Sequence, residues 1–267
     1  MSHDVYVCVL MACSCLAAGQ ARADTVYHTT REIASPDAVQ AAAADERHVY
    51  AVNSSRIVKY DRATGRELAT STGAAIHLNS GTLRDGKIHC AHSNFPNKPD
   101  RSEIKVLDPA TMTLSTLKDF GVTEGSLTWI AFQGDTVWCM FAYYTGFGDD
   151  NAKSYLAEYD RAWRVKARWC FPPEVVSRLG KGSVSGGIWH ENTFLVTGHD
   201  AKEIYRLKIP KTGNVLAYVE TIPAPFTGQG IAYDPLTGGL VGIDRGRRKL
   251  IFAECRSGRA DNAPPPR

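Results

Sequence analysis

Four six-residue stretches of this chain align without a gap: His48-Val-Tyr-Ala-Val-Asn53, Lys87-Ile-His-Cys-Ala-His92, Thr136-Val-Trp-Cys-Met-Phe141 and Asn192-Thr-Phe-Leu-Val-Thr197. Gly239-Leu-Val-Gly-Ile-Asp244 follows them more loosely. A second set keeps step with the first: Arg56-Ile-Val-Lys-Tyr-Asp61, Ser102-Glu-Ile-Lys-Val-Leu-Asp108, Ser154-Tyr-Leu-Ala-Glu-Tyr-Asp160, Glu203-Ile-Tyr-Arg-Leu-Lys208 and Arg248-Lys-Leu-Ile-Phe-Ala253. Both sets are short, rich in β-branched and aromatic residues, and bounded by polar turn signals, which is the pattern of strands. Two of the later strands run directly into the turns Arg62-Ala-Thr-Gly65 and Pro109-Ala-Thr-Met112, which suit hairpin connections. A repeat of roughly 40 to 50 residues holding four short strands is a propeller blade of WD40 or YVTN-like type.

Five such units follow one another, and the fifth runs out of strands near Glu254. The missing strand has a supplier in Thr25-Val-Tyr-His-Thr-Thr-Arg-Glu-Ile33, a β-rich stretch ahead of the first unit. The prediction is an all-β fold, a single five-bladed β-propeller closed by an N-terminal strand, with six blades as the alternative if a weak strand pair is hidden. Helical character is confined to Pro172–Leu179, where the prolines suit a first turn and Gly180 suits the end. The propeller is expected to span residues 24–255 as one domain, with 256–267 a disordered tail.

Residues 5–18, VYVCVLMACSCLAA, are the one sustained apolar run, and Ala21-Arg22-Ala23 follows them. An apolar segment ending in A-x-A reads as a secretory signal over residues 1–23, too short for a membrane span. A lipoprotein-type cleavage at Leu10-Met-Ala-Cys13 is a second reading. The mature protein is therefore expected in the periplasm or secreted. Cleavage would leave Cys90, Cys139, Cys170 and Cys255. Cys90 and Cys139 fall in one column of the repeat and read as small buried residues on neighbouring blades, so no disulfide is expected. The formal charge of +3, from 31 basic and 28 acidic residues, is too small and too scattered for a nucleic-acid partner.

Blade topology sorts the polar residues into two faces. The first hairpin turns, at Asp45-Glu46-Arg47, Asp85-Gly86, Gly134-Asp135, His190-Glu191 and Leu236–Gly238, define a face of unremarkable composition. The opposite face gathers the starts of the innermost strands and the ends of the second strands. It receives His77, Asn79, Glu124 and Gln229 from the former, and His92, Asn94, Tyr143, His199, Asp200 and Arg245 from the latter. The two longest loops, 94–102 and 143–153, overhang the same face, so Phe95, Tyr143, Tyr144 and Phe147 are expected to form an aromatic rim. His89 shares the column of Tyr50, Trp138 and Phe194 and is expected to pack between blades. No cofactor is expected. A zinc site from His77, His92 and His199, or a calcium site from Asn79, Glu124, Asp200 and Asp244, lacks any close ligand spacing in its support.

The strings IHLNSG (76–81), CAHSNFP (90–96), FPPEVV (171–176), TGHDAKEIYRL (197–207) and GQGIAYD (228–234) together resemble a family of small bacterial propellers commonly labelled cycloisomerase, within the lactonase-like propeller group. The resemblance implies proton transfer beside a carboxylate or lactone carbonyl. His92 or His199 would then be the acid/base, the latter oriented by Asp200. Asn79 and Asn94 would steady developing oxygen charge, and Arg245 would hold a substrate carboxylate. His77, Glu124, Tyr143 and Gln229 would complete the lining. The competing reading is a non-catalytic module, monomeric, that binds a glycan or protein on its loop face. No G-x-S-x-G or phosphate-loop motif favours another chemistry.

Overall fold

The computed structural model describes residues 25–257; the expected signal segment at 1–23 and residues 258–267 of the expected tail lie outside the described residues. Blade one is built from β2 (Ala41–Ala44), β3 (His48–Val52), β4 (Ile57–Asp61) and β5 (Glu67–Thr70), and blade two from β6 (His77–Arg84), β7 (Lys87–Ser93), β8 (Arg101–Asp108) and β9 (Thr113–Val122). Blade three holds β10 (Ser126–Gln133), β11 (Thr136–Ala142), β12 (Tyr155–Tyr159) and β13 (Val165–Cys170); blade four holds β14 (Gly186–His190), β15 (Thr193–Thr197), β16 (Glu203–Lys208) and β17 (Ala217–Pro223). Blade five combines β18 (Ala232–Tyr233), β19 (Leu240–Asp244) and β20 (Lys249–Ser257) with β1 (Thr25–Ala34), which pairs with β20 from the other end of the chain. All five sheets are four-stranded and antiparallel. The five-bladed ring and its closure by the N-terminal strand are as the repeat predicts.

Two boundaries differ. Strand β20 continues to Ser257, because Thr25 pairs with Ser257 and Val26 with Arg256, so the domain extends beyond residue 255. The helix α1 is only Pro173–Val176. Beyond it, Arg178 and Leu179 donate to the carbonyls of Val175 and Val176, and Gly180 leaves the turn at φ +56°.

Crowding near the axis dictates the composition of the innermost strands. All four alanines of β2 are fully buried. A Cβ on Gly187 would lie 2.7 Å from the Trp129 ring, a separation no side chain tolerates. The innermost strands of blades two, four and five crowd one another at the axis: a Cβ on Gly230 would lie 2.9 Å from the Ser80 Cα, and one on Gly186 2.8 Å from the Gly230 Cα. Between blades three and four, Trp129, Trp138, Phe194 and Tyr205 pack into one cluster. Each such buried aromatic contributes on the order of 2–3 kcal/mol. His89 packs edge-on to Phe132 of the next blade, 5.1 Å between ring centres, as its column implies. Cys90 and Cys139 are buried free thiols on blades two and three, and Cys170 and Cys255 are also free.

On the hairpin face the ring is also clamped by charge. Arg62, after β4, donates through both terminal nitrogens to Asp234, after β18, at 2.5 Å for Nη1 to Oδ1. Burial acts to raise the Asp234 carboxyl, but Arg62, Thr237 and the Leu236 amide outweigh it and hold the group below the usual carboxylate range.

Candidate functional site

Each mouth of the axis contains a cavity. The hairpin mouth, expected to be plain, holds one of about 390 Å³ lined by Phe132, Trp189, Tyr233 and Arg84 among others. Its one cation is spent: Arg84 lies over the Phe132 ring at 4.4 Å and donates to Asp85 and to the Gly134 carbonyl. The loop mouth holds about 430 Å³ and a denser set of polar groups. Convergent polar groups in a concave hollow are what a small-molecule site requires, and this mouth is the candidate.

Its floor comes from strand starts. Gln40 precedes β2, His77 and Asn79 open β6, Ser185 precedes β14 and Gln229 precedes β18. Gln229 adopts φ +66°, an uncommon backbone state for a residue with a side chain. Bonds on both sides hold it there. Its amide donates to the Gly198 carbonyl, its own carbonyl accepts from Thr197 Oγ1 at 2.5 Å, and its Nε2 donates to the His199 carbonyl at 3.0 Å. The wall is formed by His199 and Asp200 after β15 and by Arg245 after β19. Gly182 lies so close to His199 that a Cβ there would be 2.7 Å from the histidine Cβ.

The roof is aromatic. Phe95 packs on Tyr144 at 4.7 Å and on Phe147 at 4.8 Å, and the His77 ring lies 5.3 Å beneath Phe95. The two overhanging loops are latched by Lys98, which donates to Asp100 at 2.6 Å and to Asp149 at 3.0 Å. Asn151 then ties the second loop to the segment after α1 through the carbonyls of Gly180 and Gly182.

The charges are arranged asymmetrically. Nδ1 of His199 is 2.8 Å from Oδ1 of Asp200, and Nε2 is 3.2 Å from Nη1 of Arg245. Arg245 has no carboxylate partner among the described residues, and neither has Lys181, which joins the lining beside Gly182. The adjacent charges pair with one another: Asp244 takes Arg247 at 2.7 Å and Lys202 at 3.5 Å, while Glu32 takes Arg247 and Lys249. Burial, reinforced by the neighbouring His92 and Arg245, lowers His77 from 6.5 to about 4, so it is a neutral imidazole at ordinary pH. The hollow thus offers two unpaired cations against one carboxylate, under an apolar roof.

Six of the expected residues therefore meet in one cavity: His77, Asn79, His199, Asp200, Gln229 and Arg245. Four lie outside it. His92 pairs across the sheet with Leu78, one step out of phase with His77 and Asn79, and so lies on the opposite face of the blade-two sheet from them. There its Nε2 accepts from the Ile76 amide at 2.9 Å, and its Nδ1 approaches Oε2 of Glu103 at 3.0 Å, off the line of a good hydrogen bond. It braces the start of β6 and has no access to the hollow. Asn94 is used within its own loop, donating to the Pro99 carbonyl and accepting from the Arg101 amide. Glu124 is exposed and pairs with Arg168 at 2.9 Å. Tyr143 packs against the blade-three cluster, leaving the roof to Phe95, Tyr144 and Phe147. These placements also separate the groups considered for metal. Asp244 is buried in its own ion pairs, and among the described residues no three His, Cys, Asp or Glu side chains gather into a metal-binding group. Lys181 and Gly182 were not anticipated. They lie in the irregular link between α1 and β14, where the repeat gives no column to read.

No family profile matches the chain, and no curated protein matches it. Solved structures do. A glutaminyl cyclase from Myxococcus xanthus superposes with a TM-score of 0.56 at 9% identity, covering 88% of this chain and 98% of that one. A mitotic checkpoint complex chain (TM-score 0.46, 12% identity, 95% and 99% covered) and the Myceliophteria thermophila Swd1 β-propeller domain (0.46, 7%, 85% and 99%) also match. At such identities the likeness concerns the fold. Among the described residues no helix is long and apolar enough to cross a membrane. The chain is a five-bladed β-propeller whose axis opens, at the loop-bearing mouth, into a polar hollow roofed by aromatics.

Proposed function

We propose that the loop-mouth cavity binds a small organic acid, its carboxylate on Arg245 and Lys181 and its apolar body under Phe95, Tyr144 and Phe147. The observation that carries this reading is the half-buried Arg245, whose guanidinium has, among the described residues, the His199 imidazole as its side-chain partner and no carboxylate. A cation in such a position is stabilised by a bidentate carboxylate. The resemblance to cycloisomerase-labelled propellers supports a proton-transfer reaction on such an acid, with His199, oriented by Asp200, as the proton carrier. Asn79 lines the same cavity, with its Nδ2 donating to the Leu127 carbonyl at 3.4 Å. The apolar run at 5–18 supports action outside the cytoplasm.

A second reading has its own support. Nε2 of His199 is engaged by Arg245 and no second acid stands opposite it, which suits binding without turnover. Calorimetric titration with benzoate and with unsaturated dicarboxylates, against benzamide and neutral lactones, tests the shared core of both. One acid per chain is expected to bind. Arg245→Gln is expected to weaken it about tenfold or more, the effect of one charge-assisted contact. Equal binding of neutral analogues, or no effect of the substitution, would contradict the proposal. Product formation from the dicarboxylates separates enzyme from binding module.

A further inference from the structure

We propose that Arg245 is a carboxylate-operated cap on His199, so that the imidazole is free to act as a base only while the cavity holds an acid; this rests on the carboxylate reading above. A guanidinium has donors and no acceptor. With Nη1 of Arg245 at 3.2 Å, Nε2 of His199 must therefore be the accepting nitrogen, and the ring proton sits on Nδ1, donated to Asp200 at 2.8 Å. In this state the imidazole has no lone pair to offer.

The cap is built to leave. The backbone of Arg245 is anchored by its amide to Thr227 Oγ1 at 2.8 Å, while among the described residues its side chain makes no other hydrogen bond or ion pair than that to His199. His199, by contrast, is held in place: Gln229 binds its carbonyl, Gly182 packs on its Cβ and Asp200 fixes its ring. The groups that face it are Asp200 on its own loop, Arg245 from the β19 end, Lys181 from the segment before β14, and His77 and Gln229 on the floor. None besides Asp200 is a carboxylate. A carboxylate offers a guanidinium an opposite full charge and two acceptor oxygens in a bidentate fork, neither of which a single imidazole nitrogen supplies. An arriving acid draws Arg245 off Nε2, and Nε2 can then take one proton from the ligand while Nδ1–H stays on Asp200. A neutral lactone or ester of the same shape leaves the cap in place. The substrate class narrows accordingly to molecules that carry a free carboxylate in addition to the group that reacts.

The test is nitrogen NMR of the full chain labelled at histidine, with the His199 signals assigned through His199→Gln and the fold monitored by the His89 signals between the blades. In the free protein His199 is expected as the Nδ1–H tautomer with a hydrogen-bonded Nε2. Arg245→Met, without any ligand, should move the Nε2 signal off that position, and saturating benzoate should move it in the wild type while benzamide does not. An Nε2 signal unchanged by Arg245→Met, or unchanged while calorimetry shows benzoate bound, overturns the cap and leaves acid binding intact. A failure of benzoate to bind at all overturns both.

Discussion

At the scale of single residues, neutral imidazoles are built into this fold. Burial lowers His77 to about 4, and it also lowers His89, His92 and His190 from their ordinary range. A histidine whose folded pKa is depressed binds its proton more readily in the unfolded chain, so stability falls as pH drops from about 6.5 toward 4. Urea unfolding across that window should show the decline, and His77→Gln should flatten it; an unchanged slope would mean that His77 does not contribute to it. A second prediction concerns Gly182, where a Cβ would meet His199. Gly182→Ala should displace the histidine, weaken benzoate binding and cost about 1–3 kcal/mol of stability, measured by calorimetry and denaturant unfolding. The residues legible beforehand are those whose position in the repeat states their direction: His89 from its column, and His77 and Asn79 from the start of an innermost strand. The end of a second strand reaches the mouth but does not state a side chain's direction: His92 alternates away from His77 and Asn79 and turns to the Ile76 amide. Lys181 belongs to no strand, and only the fold brings it to the cavity.

At the scale of elements, the turn Asp61-Arg-Ala-Thr-Gly65 recurs as Asp234-Pro-Leu-Thr-Gly238. In both, the aspartate accepts from the threonine hydroxyl, and its carbonyl receives the glycine amide. The chemistry of each turn can be read locally. That Arg62 of the first turn clamps Asp234 of the second cannot, because the two lie 172 residues apart in sequence. Both side chains are buried, Arg62 at 10% exposure and Asp234 at 1%. Removing one partner of such a pair strands the other charge, at a cost of about 3–5 kcal/mol. Arg62→Ala is therefore expected to lower the unfolding free energy by that order, whereas Arg84→Ala, at an exposed ion pair with Asp85, should cost less than about 1 kcal/mol by that route. Comparable losses in denaturant melts of the two variants would contradict the clamp.

At the scale of the whole molecule, the ring depends on one strand that arrives from the far end of the chain. Strand β1 covers the edge of β20 over nearly its full length, places Tyr27 and Ile33 in two different cores, and supplies Glu32 to Arg247 and Lys249. Without it blade five would present an open edge. Deletion of residues 25–34 should abolish cooperative unfolding and promote association, as seen by light scattering; a monomer with a single sharp transition would contradict that role. The blades and their closure were legible because each repeat states the same strands. The hollow at the hairpin mouth was not, because it is assembled from the strand ends of four blades, none distinctive alone. Two mouths with two cavities make the central claim decidable by location. The most direct measurement is a crystal structure of the protein grown with benzoate. One benzoate is expected at the loop mouth, its carboxylate within hydrogen-bond distance of Arg245 and its ring beneath Phe95. Benzoate at the hairpin mouth against Arg84 and Trp189, or at neither mouth, would contradict it.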